Sequence, residues 1–231
     1  MNAQLRDRAV YLPGDDVLVV ADVHVGRDAT SAVELPLGER ADLTDRLAAL
    51  LSEFSPRELV VAGDVLHAFD RVPEGTEATV SALAEAGADA GAELVVVRGN
   101  HDSMLDSVLD AAGVDAADEH RFGDTVVHHG DAHPEATADR YVVGHDHPTI
   151  EIEGVRRPCL LYGPRTYRGA DVLMLPAFNR IAPGTVVNGM GTRDFQSPLV
   201  TDADALQPVV RDEDAGETLE FPPLGEFRRL L

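Results

Sequence analysis

The sequence predicts an α/β protein in which a sheet covered by helices lies beside a second, more antiparallel sheet. Three observations carry this. Short Val-rich runs are continuously apolar rather than alternating, the pattern of strands buried on both faces. Between residues 16 and 113 such runs alternate with amphipathic stretches, as in βαβ units. Past His147 the texture changes to apolar runs joined by Gly/Pro turns, with no helical stretch between them.

Taken in order, the buried strands are Val17–Val20, Leu59–Val61, Leu94–Val97, Val126–Val127 and Tyr141–Val143. The helices are Glu39–Phe54, with Leu43, Leu47, Leu50, Leu51 and Phe54 at helical spacing, then Thr76–Ala86 behind a Thr76 cap, and Ser103–Ala112 stopped by Gly113. Thr149–Glu153, Pro158–Tyr162 and Asp171–Leu175 read as the strands of the second sheet. The acidic stretch Thr201–Glu217 reads as a solvated loop. No repeat or long linker interrupts the chain. The expectation is therefore one domain over residues 1–231, with its core at about 8–190 and an acidic C-terminal extension at 191–231.

The charge balance is unusual. Asp and Glu total 41 against 19 basic residues, all of them Arg, for a net charge of -22. Such a chain repels polyanions, which excludes a sequence-independent grip on DNA through a broad basic face. The acidity points to a salt-loving microbe, a halophilic archaeon, whose proteins stay soluble through an acidic surface; GC-rich codon usage would explain the missing Lys but not the excess acid. The N-terminal residues lack the apolar stretch of a secretion signal, and no apolar run is long enough to span a bilayer. With Cys159 as its one cysteine, the chain reads as cytoplasmic, Cys159 being a small buried hydrophobe.

Each of the five Val-rich runs leads into polar groups able to bind metal. They deliver Asp22 and His24, Asp64, Asn100 and His101, His128 and His129, and His145 and His147. Ligands bind in the crevice outside the carboxyl ends of strands in open α/β sheets, so five such ends converge on one place. All nine His lie between residues 24 and 147. In extended chain, residues i and i+2 share a face, which lets Asp22 and His24, and His145 and His147, point into a common site. Imidazoles, carboxylates and one carboxamide suit Mn²⁺, Fe²⁺, Co²⁺ or Zn²⁺ better than Mg²⁺ or Ca²⁺.

The ordered set D-x-H, G-D-x-x-H, G-N-H-D, H-G and G-H-x-H resembles the calcineurin-like metallophosphoesterases, the group that includes the Mre11/SbcD nucleases. Ala21-Asp22-Val23-His24-Val25-Gly26 and Gly63-Asp64-Val65-Leu66-His67 are most similar to the small ICC-like or SbcD-related phosphoesterases of archaea and bacteria. G-N-H-D within the full series is the specific part. The resemblance covers about residues 8–190. It implies a two-sheet α/β/β/α sandwich and two divalent transition-metal ions, Mn²⁺ foremost. Asp22, His24 and His147 would hold one ion, and Asn100, His129 and His145 the other, with Asp64 between them. His101 would face the substrate as the catalytic group. The implied reaction is hydrolysis of a phosphomonoester or phosphodiester by metal-bound hydroxide.

Other residues have more than one reading. Asp102 is a helix cap or a catalytic group. His67 orients a ligand or lines the rim. Arg98 contacts phosphate or pairs with a surface acid. Only one of His128 and His129 can face the site, and adjacency to Gly130 favours His129. His120 and His133 read as surface residues, and Tyr162, Arg165, Tyr167 and Arg168 as turn packing. Two rivals stand beside a small-molecule esterase. One is a nuclease on nucleic acid ends with a helicase or ATPase partner, and the chain lacks room for Mre11's large capping region. The other is a non-catalytic scaffold, whose mark would be lost ligands; none is lost here.

Overall fold

The computed structural model describes residues 2–30 and 38–230. A six-stranded sheet runs in the order β1 (Gln4–Arg6), β2 (Ala9–Leu12), β3 (Val17–Ala21), β4 (Glu58–Ala62), β5 (Glu93–Val97) and β6 (Ala116–Ala117). From β3 to β6 its pairings are parallel. Helices α2 (Glu39–Phe54), α3 (Thr76–Asp89) and α4 (Leu105–Ala112) supply the crossovers, following a single turn, α1 (Arg27–Thr30).

The second sheet is mixed. It includes β7 (Glu119–Phe122), β8 (Thr125–His128), β9 (Arg140–Val143), β12 (Leu160–Tyr167) and β13 (Ala170–Met174), with β15 (Gln207–Asp212) and β16 (Glu217–Glu220) at one edge. Thus two of the five Val-rich runs, β8 and β9, belong to this sheet, and they pair parallel. The stretch expected at Thr149–Glu153 is β10 (Pro148–Ile152). It lies in a separate three-stranded sheet with β11 (Val155–Pro158) and β14 (Thr185–Val186) rather than in the second sheet.

Alternation of side chains sorts the core into layers. Leu18, Val20, Leu59, Val61 and Val96 face the helices, where Leu43, Leu47, Leu50, Val80, Leu105 and Val108 cover them. Their neighbours Val17, Val19, Val60, Ala62 and Val97 face the other way, onto Val127, Val142, Leu160 and Leu173 of the second sheet. The remaining side chains of that sheet, Tyr141, Val143, Leu161, Val172 and Met174, pack under Phe195, Leu199, Leu206, Leu224 and Phe227. The α/β/β/α sandwich is therefore present. Its fourth layer is thin, built from 3-10 turns at Thr192–Asp194 and Ala203–Ala205 and the one-turn α5 (Leu224–Phe227).

Two local readings are corrected. Thr201–Glu217 is not a loop throughout: β15 pairs with β12 and buries Pro208, Val209 and Val210, while the acidic residues from Glu213 to Glu220 are exposed. Hydrophobic residues there number too few to show a period among so many acids. Thr76 does not cap α3. Gly75 holds the cap position in the left-handed region, and the buried Thr76 hydroxyl has no hydrogen-bond partner among the described residues.

Candidate metal centre

Register brings the site together. Ala21 pairs with Ala62, and Ala62 with Val97, so β3, β4 and β5 end level and their next residues emerge side by side. The second sheet meets them at Gly144. Both Asp22 oxygens accept the His145 backbone N–H, at 3.2 and 3.0 Å. Beyond Leu175 the chain crosses back to the first sheet, where the Phe178 N–H donates to the Ala21 carbonyl at 2.7 Å. The site thus straddles both sheets at their carboxyl ends.

All seven residues expected as ligands converge. Around Asp22, His24 and His147, the His24 and His147 Nε2 atoms are 3.1 Å apart, and His147 Nε2 is 3.5 Å from Asp22 Oδ1. On the other side, His129 Nε2 lies 3.0 Å from Asn100 Oδ1 and 3.1 Å from His145 Nδ1. Asp64 reaches both groups: Oδ2 is 3.8 Å from His24 Nε2, and Oδ1 is 3.4 Å from His129 Nε2. A single ring proton can satisfy only one of the acceptors crowded around His129 Nε2. Lone pairs facing one another, with two buried carboxylates among them, suit cations in between. The donor set therefore fits metal, and three ligand groups have atoms within 4.8 Å of one another: Asp22/His24/His147, Asp22/Asp64/His129 and His24/Asp64/His101.

The backbone is bent to achieve this. Asp22, His24, Asp64, His145 and His147 all adopt positive φ, between 45° and 72°, a region L residues seldom enter. Two glycines allow the close approach. A Cβ on Gly63 would fall 2.3 Å from the His129 ring, and one on Gly99 2.2 Å from the Asp64 backbone nitrogen.

Electrostatics separate the two carboxylates. Burial opposes the charge of both. Asp22 is nevertheless held below the usual range by its hydrogen bond to His147 and the surrounding imidazoles. Asp64, buried beside the Asp22 charge, is pushed up to about 8. Burial pushes His24 down to about 3, so its ring is neutral and its nitrogen lone pair is free to bind. His129 is likewise lowered by burial. Burial opposes the charge of His147, but its hydrogen bond to Asp22 and the Asp22 and Asp64 charges, with the Pro183 backbone, together raise it.

His101 sits at the open side. Its Nδ1 is 3.0 Å from the His67 carbonyl, which can only accept, so Nδ1 carries a proton and Nε2 faces Asp64 Oδ2 at 3.7 Å. The exposed Phe69 ring stacks on it, centroids 3.7 Å apart. The His67 ring meets the edge of His24, and its Nδ1 is 3.4 Å from an Arg27 nitrogen. Arg98 pairs with Asp106 at 2.5 Å, the surface-acid alternative. His128 is turned from the cluster and accepts the Gly130 N–H, leaving His129 in the site. His133 is exposed, whereas His120 is half-buried against Glu58 at 2.8 Å.

Asp102 does not cap α4, whose cap position is Met104. It accepts the N–H groups of Gly99, Val65 and Leu66 at 2.8, 3.2 and 2.9 Å, tying the β5 loop to the β4 loop. Three further supports were not singled out from the sequence. Asp146, between two of the histidines, accepts the N–H groups of Gln196 and Ser197. Asn179 donates to the Val23 and His24 carbonyls and to Glu39, and Glu39 accepts the Gly26 and Arg27 N–H groups. Alternation could have found Asp146, since His145 and His147 share the opposite face. Nothing local marks Asn179 or Glu39.

Among known proteins, the family model for calcineurin-like phosphoesterases matches residues 16–149. No curated protein matches the chain. The crystal structure of the Pseudomonas putida nuclease MPE is 25% identical with a TM-score of 0.67, covering 93% of this chain and 92% of that one. Yfce, a phosphoesterase from E. coli, aligns at 15% identity and a TM-score of 0.45 over 90% of this chain and 98% of its own. The match spans more than half of the sequence and takes in all seven converging residues, from Asp22 to His147, so the chain belongs to the calcineurin-like phosphoesterases and is a metal-dependent phosphoester hydrolase.

Proposed function

We propose that the chain cleaves phosphodiesters with a pair of divalent ions, Mn²⁺ foremost, with Asp64 between them. The observation that carries this is the placement of the two Asp64 oxygens, one toward His24 and one toward His129. Asp22, His24 and His147 would hold one ion, and Asn100, His129 and His145 the other. Bound there, such a pair lowers the pKa of water and clamps the ester oxygens. By distance alone His101 also qualifies as a ligand. We assign it instead to the leaving oxygen, because it is on the open side under Phe69 and its Nδ1 is already engaged. With Nδ1 donating to the His67 carbonyl, Nε2 is the atom that takes up a proton and delivers it.

A nucleic acid strand is the favoured diester, on the likeness to a protein described as a nuclease and extending over nearly all of both chains. Because the net charge is -22, recognition must be local. The test is hydrolysis of bis(p-nitrophenyl) phosphate and of a thymidine dinucleotide by chelator-treated protein, with and without Mn²⁺. Activity should vanish on stripping and return with the metal. The His101→Ala protein should turn over about 10²–10⁴-fold more slowly. Full activity in the stripped protein would end this reading.

A further inference from the structure

A cleft of about 260 Å³ reaches the metal centre at His147, which lines it together with Arg8, Thr149, Arg156, Pro158 and Pro176. It is smaller than the cavities that enclose a whole drug-sized ligand, and fits one unit of a larger substrate.

Arg8 is the unusual wall. It stands at the second position of the two-residue turn between β1 and β2, where Asp7 and Arg8 have φ of 40° and 67°. Positive φ at both positions is the type I′ arrangement, in which glycine is favoured at the second. Arginine stands there instead. Its Nη1 donates to the Ala177 and Asn179 carbonyls at 3.1 Å each. Nε and Nη2 have no protein partner among the described residues. The neighbouring Asp7 is engaged by Arg46 at 2.6 Å and by Arg180 at 3.0 Å. In a chain with twice as many acids as bases, a half-buried guanidinium fixed by neutral carbonyls, near the Asp7 and Asp42 charges but in no ion pair among the described residues, is a ready anion site. Arg156, by contrast, is exposed and already paired with Glu151.

We propose that this cleft is a second phosphate subsite, in which Arg8 holds the phosphate next along a nucleic acid strand from the one cleaved at the metal centre. The proposal rests on the phosphodiesterase reading above, and it makes the substrate a strand rather than an isolated ester. Local recognition of this kind also meets the requirement set by the acidic surface.

The test compares a thymidine dinucleotide, which has one phosphate, with its forms carrying an added 5′- or 3′-phosphate, in Mn²⁺. Wild-type protein should prefer one phosphorylated form by about tenfold or more in kcat/KM, the scale of one charge-assisted contact. Arg8→Gln should abolish that preference, and Arg8→Lys should keep part of it. A wild-type protein with no preference, or a folded Arg8→Gln that retains it, would overturn the proposal. Should Arg8→Gln fail to fold, Arg8→Lys decides: it keeps the charge but loses the fork, and an unchanged preference would overturn the proposal equally. If none of the three substrates is cleaved, the phosphodiesterase reading itself falls, and this one with it.

Discussion

Asp64 concentrates the chemistry of the site in one side chain. Without metal its carboxyl is held up to about 8, so between about pH 4 and 8 the folded chain keeps a proton that the unfolded chain has released. Stability from this group therefore falls as pH rises through that range. His24 works in the opposite direction: folded near 3, unfolded near 6.5, it weakens the fold as pH falls below about 6.5. Below that point the two slopes oppose one another; above it, of these two, Asp64 alone acts, and the raised His147 adds a slope of the same sign. Metal-free protein should lose about 1–2 kcal/mol from Asp64 between pH 6.5 and 8 in urea titrations, and Asp64→Asn should clearly reduce the total loss. An equal loss in Asp64→Asn would place its origin elsewhere. The seven converging residues were legible in the sequence because each follows a Val-rich strand end. The role of Asp102 was not, since a residue before a helix has the same local pattern whether it caps that helix or binds two distant loops.

At the scale of elements, the site depends on loops held by side chains that touch no metal. Asp102 accepts three backbone N–H groups from two loops, and its removal leaves buried donors unpaired. Asp102→Ala should lower the unfolding free energy by about 1–3 kcal/mol per donor stranded and weaken metal affinity about 10–100-fold. Calorimetry with metal titration checks both, and native metal affinity in the variant would mean the loops hold without it. Strands such as β3 and β4 were legible because unbroken valine marks burial on two faces. The sheet to which each belongs was not, since β8 looks like β4 until pairing is known. β15 was hidden for a related reason: Val209 and Val210 are set in an acidic stretch whose exposed members dominate its composition.

Across the whole molecule, the net charge of -22 sets how salt acts. Salt screens repulsion between the acidic surface and a nucleic acid, and it also weakens the few local contacts at arginine. Cleavage of a strand should accordingly stay flat or rise from low to molar KCl at constant circular dichroism. A steep fall would reveal an extended basic surface. Unfolding followed over the same KCl series tests whether the acidic surface gains stability from salt. No helix among the described residues is long and apolar enough to cross a membrane. The central claim, a metal pair sharing Asp64, is tested most directly by counting ions per chain in wild-type, Asp64→Ala and His101→Ala proteins after dialysis against Mn²⁺. The account predicts two ions in wild type, two in His101→Ala, and loss of tight binding at both positions in Asp64→Ala. One ion or none in the folded wild-type protein would contradict it.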